Sequence, residues 1–403
     1  MRIGVLTTSF PRYEGDVAGS FVLGFAKSLA ARGHRVDVLA PEPAATGKTA
    51  SWTGVELHQV AYLRPRALQR TFYGSGVPDN LVRDPLAWLG LAPFSVALAL
   101  VARSRSRRWD AVFSHWALPS ALAAGWAVAE RVPHVAVLHS ADVHLLEQLP
   151  MGRRLAHRVA STAHALWFVS EEQRSRFTAL LPERHALGRC LVCPMGIDLP
   201  TREQRSMDRA SIRRRHQLHR FTVLSLGRLV PIKGLDTLIE ACSGTEITLV
   251  IAGDGPQRAE LARKAERAQV DARFVGIVVG DEKRDWLLAA DAFALPSRRL
   301  SDGRSEGLPT ALLEALSYDL PIIASRLPGI AGLLEATSPR HVLAPPDDAR
   351  AWRALLRTLS TTRALQLKAA GSGLALAQRY AWPRVADKAL ALCEASCVLP
   401  PRT

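Results

Sequence analysis

The chain of 403 residues lacks several of the motifs with which enzymes hold phosphates and metals. It contains no Walker-type phosphate loop and no G-x-G-x-x-G, so P-loop nucleotidases and classical dinucleotide-binding enzymes are not favoured. No two aspartates are separated by a single residue, so the D-x-D clamp that holds a diphosphate through a divalent cation is missing. We therefore predict that a diphosphate ligand, if there is one, is bound without a metal.

Cysteine is scarce, because the chain has only five, and an odd, sparse set is typical of a reducing compartment. We expect a cytoplasmic protein, and the sequence opens on a predicted strand with no charged leader of the signal-peptide kind. Cys190 and Cys193 have the spacing of half a zinc site, but they lie in a predicted strand, where residues three apart point to opposite faces. We predict no metal site and no cofactor.

Lysine is scarce as well, with seven among the 52 basic residues, yet abundant arginine brings the net charge to +15. A basic balance favours acidic partners such as diphosphates or anionic lipid headgroups. We find no nucleic-acid-binding motif and no basic stripe interleaved with aromatic residues. We therefore predict no nucleic-acid partner.

One uncharged segment raises the question of a membrane. Residues 85–102 carry no charge, and four arginines follow at 103, 105, 107 and 108. The length is near the minimum for a spanning helix. Three interpretations stay open: a core helix of the first domain, a helix in the membrane surface with its arginines on anionic lipid, and a membrane span. The two prolines and the small residues favour the core helix.

Short apolar strands alternate with amphipathic helices along the chain, which is typical of parallel sheets with helices on both faces. The alternation breaks at residues 201–220, which carry seven arginines and no strand signal. We therefore predict an α/β protein of two doubly wound, Rossmann-like domains, residues 1–200 and 221–379, joined by a linker at 201–220. A C-terminal helix, residues 380–403, is expected to return to the first domain. Ligands of such sheets bind at the carboxyl ends of the strands, so we expect a site where the domains face each other across a cleft.

Two carboxylates, Glu306 and Glu314, lie on either side of the predicted start of a helix at Pro309, with seven residues between them. Proline suits the first helical turn, where its missing N–H is not needed. The free N–H groups of a helix N-terminus favour an anion such as a phosphate. Acids beside an anion site suit a ligand that carries both phosphates and sugar hydroxyls.

Other polar residues come directly after predicted strands. Arg228 and Lys233 follow one strand and precede a helix, an arrangement that suits a diphosphate. His139 ends a buried strand, where it can meet a ligand, and a satisfied core histidine is the alternative interpretation. Gly19 precedes the first helix and either lets backbone approach a substrate or simply starts that helix.

Several stretches, taken in order, resemble the retaining glycosyltransferases of family 4, which have the GT-B fold. In the second half they are GRLVPIKGLDTLIEA, LVIAGDGP, FVGIV, ALPS and SEGLPTALLEALS. In the first half, SFPRYEGDVAGSFVLGFAKSLAARGHRVDVLAP, SHWALPSALAA and VLHSADV are similar to the bacterial polysaccharide-assembly members, and PMGIDL is similar to the segment that leads into their second domain. The resemblance spans almost the whole chain.

The resemblance implies a role for each charged candidate. Glu306 would contact the donor sugar, and Glu314 would hold the ribose hydroxyls of the nucleotide. Arg228 and Lys233 would bind the donor diphosphate and offset the charge of the leaving group. His139 would lie beside the transferred sugar.

It also implies roles for the main chain. Backbone N–H groups at Gly307 and Leu308 would reach sugar hydroxyls or phosphate. The main chain from Gly276 to Val278 would frame the base, and Gly19 would approach the donor phosphate or the acceptor.

The function implied is a metal-independent hexosyltransferase, retaining in mechanism. It would move a sugar from a nucleotide-sugar donor of the UDP or GDP type to a glycan or lipid-linked oligosaccharide, in bacterial exopolysaccharide or cell-envelope polysaccharide synthesis. It would work in the cytoplasm or peripherally on the inner membrane. The alternatives are another GT-B enzyme, namely a sugar-nucleotide epimerase or a phosphorylase, and a non-catalytic GT-B scaffold partner.

Overall fold

The structure is a computed structural model that divides the chain into two compact units. The first comprises Met1–Gly196 and the C-terminal stretch that starts at Trp382, and the second comprises Ile197–Ala381. The residues it describes are 1–44, 50–74, 77, 80–81, 84–129, 131–183, 187–335, 342–362 and 372–396.

The first unit is a parallel sheet of seven strands with helices between them, in the order β3-β2-β1-β4-β5-β6-β7. Its elements before the crossing to the second unit are β1 (Arg2–Leu6), α1 (Ser20–Ala30), β2 (Arg35–Pro41), β3 (Val55–Val60), α2 (Leu91–Ser106), β4 (Ala111–His115), α3 (Leu122–Ala127), β5 (His134–Leu138), α4 (Ser140–Gln148), α5 (Gly152–Thr162), β6 (Ala165–Phe168), α6 (Glu171–Ala179) and β7 (Arg189–Val192).

The second unit is a parallel sheet of six strands in the order β10-β9-β8-β11-β12-β13. Its elements are α7 (Arg202–Arg205), α8 (Arg209–Arg215), β8 (Phe221–Leu226), α9 (Leu235–Cys242), β9 (Ile247–Ala252), α10 (Arg258–Arg267), β10 (Asp271–Gly276), α11 (Gly280–Ala289), β11 (Ala292–Leu295), α12 (Thr310–Ser317), β12 (Ile322–Ser325), α13 (Pro328–Glu335), β13 (Val342–Ala344), α14 (Ala349–Thr361) and α15 (Ser372–Ala377).

The prediction of two doubly wound parallel sheets is confirmed. Continuous apolar strands such as β5 and β9 are buried along their whole length, as strands covered on both faces must be. In each sheet the strand order reverses at one point, between β1 and β4 in the first unit and between β8 and β11 in the second. Loops that leave the carboxyl ends of such a pair diverge to opposite faces, so a crevice opens between them.

Residues 201–220, predicted as a linker leading into a short helix, form two helices that belong to the second unit. The arginines that suggested a linker bind to it: Arg209 and Arg213 both pair with Asp291, at 2.5 and 2.9 Å, just before β11. Asp291 also accepts the Thr222 N–H at 2.8 Å, so the two arginines are tied to the start of β8. The arginine-rich segment is therefore packed against the second unit through ion pairs, and it is not a flexible linker.

The last helix, α16 (Trp382–Ser396), packs in the first unit. The Trp382 ring lies where a side chain on Gly24 of α1 or on Gly196 would collide with it. Asp387 accepts from Arg32 Nε at 2.7 Å, just after α1. Because Gly24 and Gly196 have no side chains, the Trp382 ring can pack directly against their backbone.

The segment at residues 85–106 is only partly the core helix that its prolines favoured. A 3₁₀ turn, Pro85–Gly90, runs directly into α2, and Phe94, Leu98 and Ala102 on one side are fully buried. Among the described residues it is the single helix long and apolar enough to cross a membrane, yet only 28% of its most apolar stretch is buried. One face of α2 thus serves the core and another remains exposed.

The two cysteines with zinc-like spacing differ in their position and burial. β7 ends at Val192, so Cys193 lies just after the observed strand and is buried, whereas Cys190 lies within it and is half-buried. Both are free thiols, and burial raises the pKa of each above its ordinary value. Raised thiol pKa values oppose the thiolate form that metals bind. Cys397 lies outside the described residues.

Candidate active site

Lys233, Glu306 and Ser297 form one hydrogen-bonded group in the second unit. Lys233 Nζ pairs with Glu306 Oε1, and the Ser297 hydroxyl donates to Glu306 Oε2. The side chains of the pair are 14% and 15% exposed, and Ser297 is fully buried. Each oxygen of the carboxylate is therefore held by a separate donor in a poorly solvated position, where charge interactions are strong.

The reversal of strand order positions this group. Lys233 lies in the turn after β8, and Ser297 lies two residues beyond β11, the neighbour of β8 across the switch point. Gly234 starts α9 in the left-handed conformation, with φ of 61°, and a side chain there would collide with the Pro296 carbonyl. The glycine lets the loop after β8 touch the loop after β11, which brings Lys233 within reach of Glu306.

Arg228 is exposed just after β8. The side chain of Lys233 passes over the neighbouring Gly227. A Cβ atom on Gly227 would lie 3.4 Å from Lys233 Nζ. The two predicted cations therefore arise from one short loop. A pair of cations on one loop beside a helix start suits a diphosphate.

Helix α12 begins four residues after Glu306. Its N-cap is Pro309, so the helix starts one residue later than predicted, and in the described chain no side chain caps it. Gly307 is buried and Leu308 is half-buried in the loop between Glu306 and the cap. An N-terminus without a side-chain cap has backbone N–H groups that could bind an anion.

Glu314 lies inside α12, and its Oε1 accepts from Lys283 Nζ of α11 at 2.8 Å. Both side chains are partly exposed, at 23% and 35%. β10 ends at Gly276, with φ of 80°, and the following loop buries Val278 in the same core cluster as residues of α12. The loop predicted to frame a base is thus tied to the helix that carries Glu314, through Val278 and Lys283.

His139 belongs to the first unit, where it is the N-cap of α4 and 9% exposed. Its Nε2 lies 3.2 Å from Nδ1 of His115, at the end of β4, and the rings stack. Burial lowers the pKa of His139 to about 3, and burial with the neighbouring His139 lowers the pKa of His115 well below its ordinary value. Both rings are neutral, so one N–H is shared between them. The structure therefore shows His139 as a buried histidine with a hydrogen-bond partner, which agrees with the core interpretation.

Aromatic rings flank this histidine. The ring centroids of Trp116 and Phe21 lie 4.9 and 5.2 Å from that of His139. Gly19, the N-cap of α1 two residues before Phe21, has φ of 62°, and a side chain there would collide with the Ser9 carbonyl. The same local feature thus occurs in both units. In each, the strand at the switch point is followed by a helix whose N-cap is a glycine in the left-handed conformation.

Three residues of these groups were missed by sequence reasoning: Ser297, Lys283 and His115. Ser297 ends the ALPS stretch and His115 begins the HWALPS stretch, so position at the end of a predicted strand was the available signal for both. Lys283 carried no signal beyond being one of few lysines.

One cluster has the composition of a metal site. Asp37, Glu56 and His58 bring their ligand atoms within 4.8 Å of one another, the single such group in the described part of the chain. Asp37 already accepts from Arg2 at 2.9 Å and from the Trp109 indole at 2.7 Å. These protein donors satisfy the carboxylate, so the cluster is a structural ion-pair network.

Two family models match the chain, one in each unit. Residues 18–188 match the glycosyl transferase 4-like domain, and residues 208–371 match glycosyl transferases group 1. A relative from Bacillus subtilis, named as the teichuronic acid biosynthesis glycosyltransferase TuaC, is 31% identical over 60% of this chain. That match spans 59% of the relative's length.

A second relative aligns over more of its length. The GDP-mannose-dependent alpha-(1-6)-phosphatidylinositol monomannoside mannosyltransferase of Mycobacterium tuberculosis is 28% identical over 81% of each chain. Among solved structures, Anabaena HepE in complex with UDP and glucose superposes with a TM-score of 0.71 at 17% identity, covering 98% of this chain and all of that one. At this identity the likeness shows the fold.

Two parallel-sheet α/β units, each with a polar group at its switch point, define the GT-B class of fold. The family models give the particular assignment. In chain order, a glycosyl transferase 4-like domain is followed by a domain of the glycosyl transferases group 1.

Proposed function

We propose that this protein is a retaining glycosyltransferase that moves a hexose from a nucleoside-diphosphate sugar to a hydroxyl of a glycan or lipid-linked oligosaccharide. The observation that carries the proposal is the Lys233–Glu306–Ser297 group at the switch point of the second sheet. The relatives named above act, by their names, in teichuronic acid synthesis and on a phosphatidylinositol mannoside, which supports an envelope polysaccharide or glycolipid as product.

Glu306 is built to accept hydroxyl groups. A carboxylate offers about four lone-pair positions, and Lys233 and Ser297 use one on each oxygen. The remaining positions accept from two sugar hydroxyls while the carboxylate stays fixed. Because the carboxylate is held by two protein donors, its orientation costs little when the sugar binds.

Lys233 and Arg228 bind the diphosphate and stabilise its departure. An ammonium has three donors, so Lys233 can keep Glu306 and still reach a phosphate oxygen. As the bond between C1 and the diphosphate oxygen breaks, negative charge grows on that oxygen, and fixed cations beside it lower the barrier. The lysine thus couples the leaving group to the residue that holds the sugar.

Retention follows when the acceptor attacks from the side that the diphosphate leaves. The acceptor oxygen bonds to C1, the C1–O bond to diphosphate breaks, and the departing phosphate takes the proton of the acceptor hydroxyl. This path needs no protein nucleophile and no metal, in line with two cations and no D-x-D clamp. Neutral His139 would offer the transferred sugar a hydrogen bond without adding charge.

Glu314 serves the nucleotide. Lys283 occupies its Oε1, so Oε2 is the oxygen that accepts from the vicinal ribose hydroxyls. Gly276 and Val278 shape the loop proposed to frame the base through backbone groups. We infer a UDP- or GDP-type donor, a cytoplasmic enzyme, and an acceptor that a lipid carries at an anionic membrane surface.

Calorimetric titration of the wild type with UDP, GDP and ADP, in buffer without divalent cations, tests the donor site. Tight binding of one nucleotide supports the diphosphate site and names the donor class for a sugar screen. Binding of none would contradict the proposal and favour a non-catalytic scaffold. If a donor sugar is altered with no acceptor present, the activity is that of an epimerase.

A further inference from the structure

A stripe of exposed side chains runs along α2 and the 3₁₀ turn before it. We call it the α2 stripe, and its members recur every three or four residues on one face: Leu86, Leu89, Ala92, Val96, Leu100, Arg103 and Arg107. Leu86, Leu89, Val96 and Leu100 are 47%, 58%, 53% and 64% exposed. Such large aliphatic groups aligned on one helix face are unusual on a soluble surface and indicate an interaction site.

The opposite side of the same helix is anchored. Phe94, Leu98 and Ala102 are fully buried in the first unit's core, together with Trp109 beyond the helix. The stripe is therefore held rigidly outward, and no rearrangement is needed to present it.

Polar groups beside the stripe are already satisfied within the protein. The Trp88 indole, 51% exposed, donates to the Leu81 carbonyl at 3.0 Å. The hydroxyls of Ser95 and Ser104 donate to helix carbonyls at 2.7 and 2.8 Å. Moving this face out of water would leave none of these donors unpaired, which removes the main cost of burying it in an apolar phase.

The charge at the far end of the stripe identifies the partner. Residues 85–109 contain no acidic residue, and the last two turns of α2 and the residues after it bring Arg103, Arg105, Arg107 and Arg108. Arg131 adds a further cation, since its guanidinium donates to the Arg107 carbonyl at 3.5 Å. An apolar stripe that ends in clustered cations matches a surface whose interior is apolar and whose boundary is anionic.

We propose that the α2 stripe docks the first unit onto an anionic membrane, with α2 lying in the interface. The leucines and the valine enter the acyl boundary, and the arginines contact phosphate headgroups. Spanning is disfavoured because Phe94, Leu98 and Ala102 would have to leave the core. A second copy of the chain fits the α2 stripe less well. Whether two stripes pair in parallel or antiparallel, the arginines of one would meet leucines or arginines of the other, and never a carboxylate.

The test is co-sedimentation of the whole protein with vesicles of phosphatidylcholine containing phosphatidylglycerol, at low salt and with no donor or acceptor. Wild type is expected to pellet with these vesicles and to stay soluble with phosphatidylcholine alone. Leu89→Asn with Leu100→Asn should weaken binding at least about tenfold, because two exposed aliphatic groups no longer enter the acyl region. Since no sugar is present, failure here would leave the proposed transfer reaction untouched.

A charge-matched pair separates the stripe from the overall basic charge. Arg103→Gln with Arg107→Gln should weaken binding about fivefold for each arginine removed. Arg153→Gln with Arg154→Gln, two exposed arginines of α5, removes the same charge elsewhere in the unit and should leave binding unchanged.

Four results would overturn the inference. Wild type could remain soluble with the anionic vesicles, or the two arginine pairs could weaken binding equally. Wild type could resist release from vesicles by alkaline carbonate, which would make α2 a span. Finally, analytical ultracentrifugation could show a dimer that Leu89→Asn with Leu100→Asn dissociates, which would assign the stripe to a second copy.

Discussion

Removing the Lys233 ammonium should damage both stability and catalysis, because Lys233 holds a carboxylate that has little access to water. With Lys233→Met, Glu306 keeps the Ser297 hydroxyl but loses its counter-ion while 15% exposed. Breaking a buried pair from one side costs roughly 3–5 kcal/mol. Because this pair retains some solvent and one hydrogen bond, we expect about 2–3 kcal/mol. For a unit of this size that lowers the unfolding midpoint by roughly 5–10 °C.

A double-mutant cycle isolates the pair. Glu306→Gln keeps the shape and the Ser297 contact but removes the charge, so the double variant with Lys233→Met leaves no unpaired ion. We expect its destabilisation to fall short of the sum of the singles by about 1–3 kcal/mol. Turnover should fall about 10²–10³-fold in Lys233→Met and little further in the double variant, because the two residues act as one unit.

Lys264→Met provides the control. Lys264 pairs with Glu240 at 3.1 Å in the same unit, but these side chains are 36% and 57% exposed. An exposed pair contributes about 0–1 kcal/mol, so this variant should match wild type in thermal unfolding and in turnover. The reasoning fails if thermal unfolding of Lys233→Met resembles that of Lys264→Met, or if its kcat is unchanged.

Three further predictions concern single side chains. Ser297→Ala removes a hydrogen bond to a charged group, so it should lower kcat about tenfold or more with little change in nucleotide affinity. Steady-state kinetics measures the first effect and calorimetry the second. An equal weakening of nucleotide binding would contradict the role of this hydroxyl in holding Glu306. Glu314→Ala should weaken nucleotide binding about tenfold with a smaller effect on kcat, and an unaltered Kd would refute the ribose role. Burial lowers the pKa of His139 to about 3 from 6.5 in the unfolded chain, so only the unfolded chain gains this proton as pH falls through that window. Thermal stability should therefore fall on acidification from 6.5, less steeply in His139→Asn, and equal slopes would contradict a neutral buried ring.

The strands at the centre of each sheet were predictable because they are short, apolar and bounded by turns. Two strands escaped prediction, β3 and β13, and both lie at a sheet edge. β3 reads VELHQV, with an exposed glutamate and glutamine, and β13 has three residues. An edge strand is buried on fewer sides, so its sequence need not be apolar, and the neighbour that fixes it is distant in the chain.

The candidate site was predictable where a residue's type and place both carried meaning. Lys233 and Glu306 are charged residues beside predicted helix starts, and the structure joins them. Ser297 could not be singled out, because a serine after a strand is ordinary until tertiary packing buries it against a carboxylate. Lys283 became relevant only when α11 was seen to pack beside α12. Contacts between elements far apart in sequence depend on the sheet order, which local patterns do not determine.

The route of the chain bears on how this protein is made. The seven strands of the first unit are synthesised before residue 197. Helix α16, whose Trp382 packs against Gly24 and Gly196, emerges only after the 185 residues of the second unit. At about 5–20 residues per second, the ribosome needs on the order of ten seconds or more to supply it. During that interval the groove for Trp382 stands open on a nascent chain that is otherwise able to collapse. A nonsense mutation near the 3′ end of the gene would remove α16 and would therefore destabilise the first unit, which is otherwise encoded at the 5′ end.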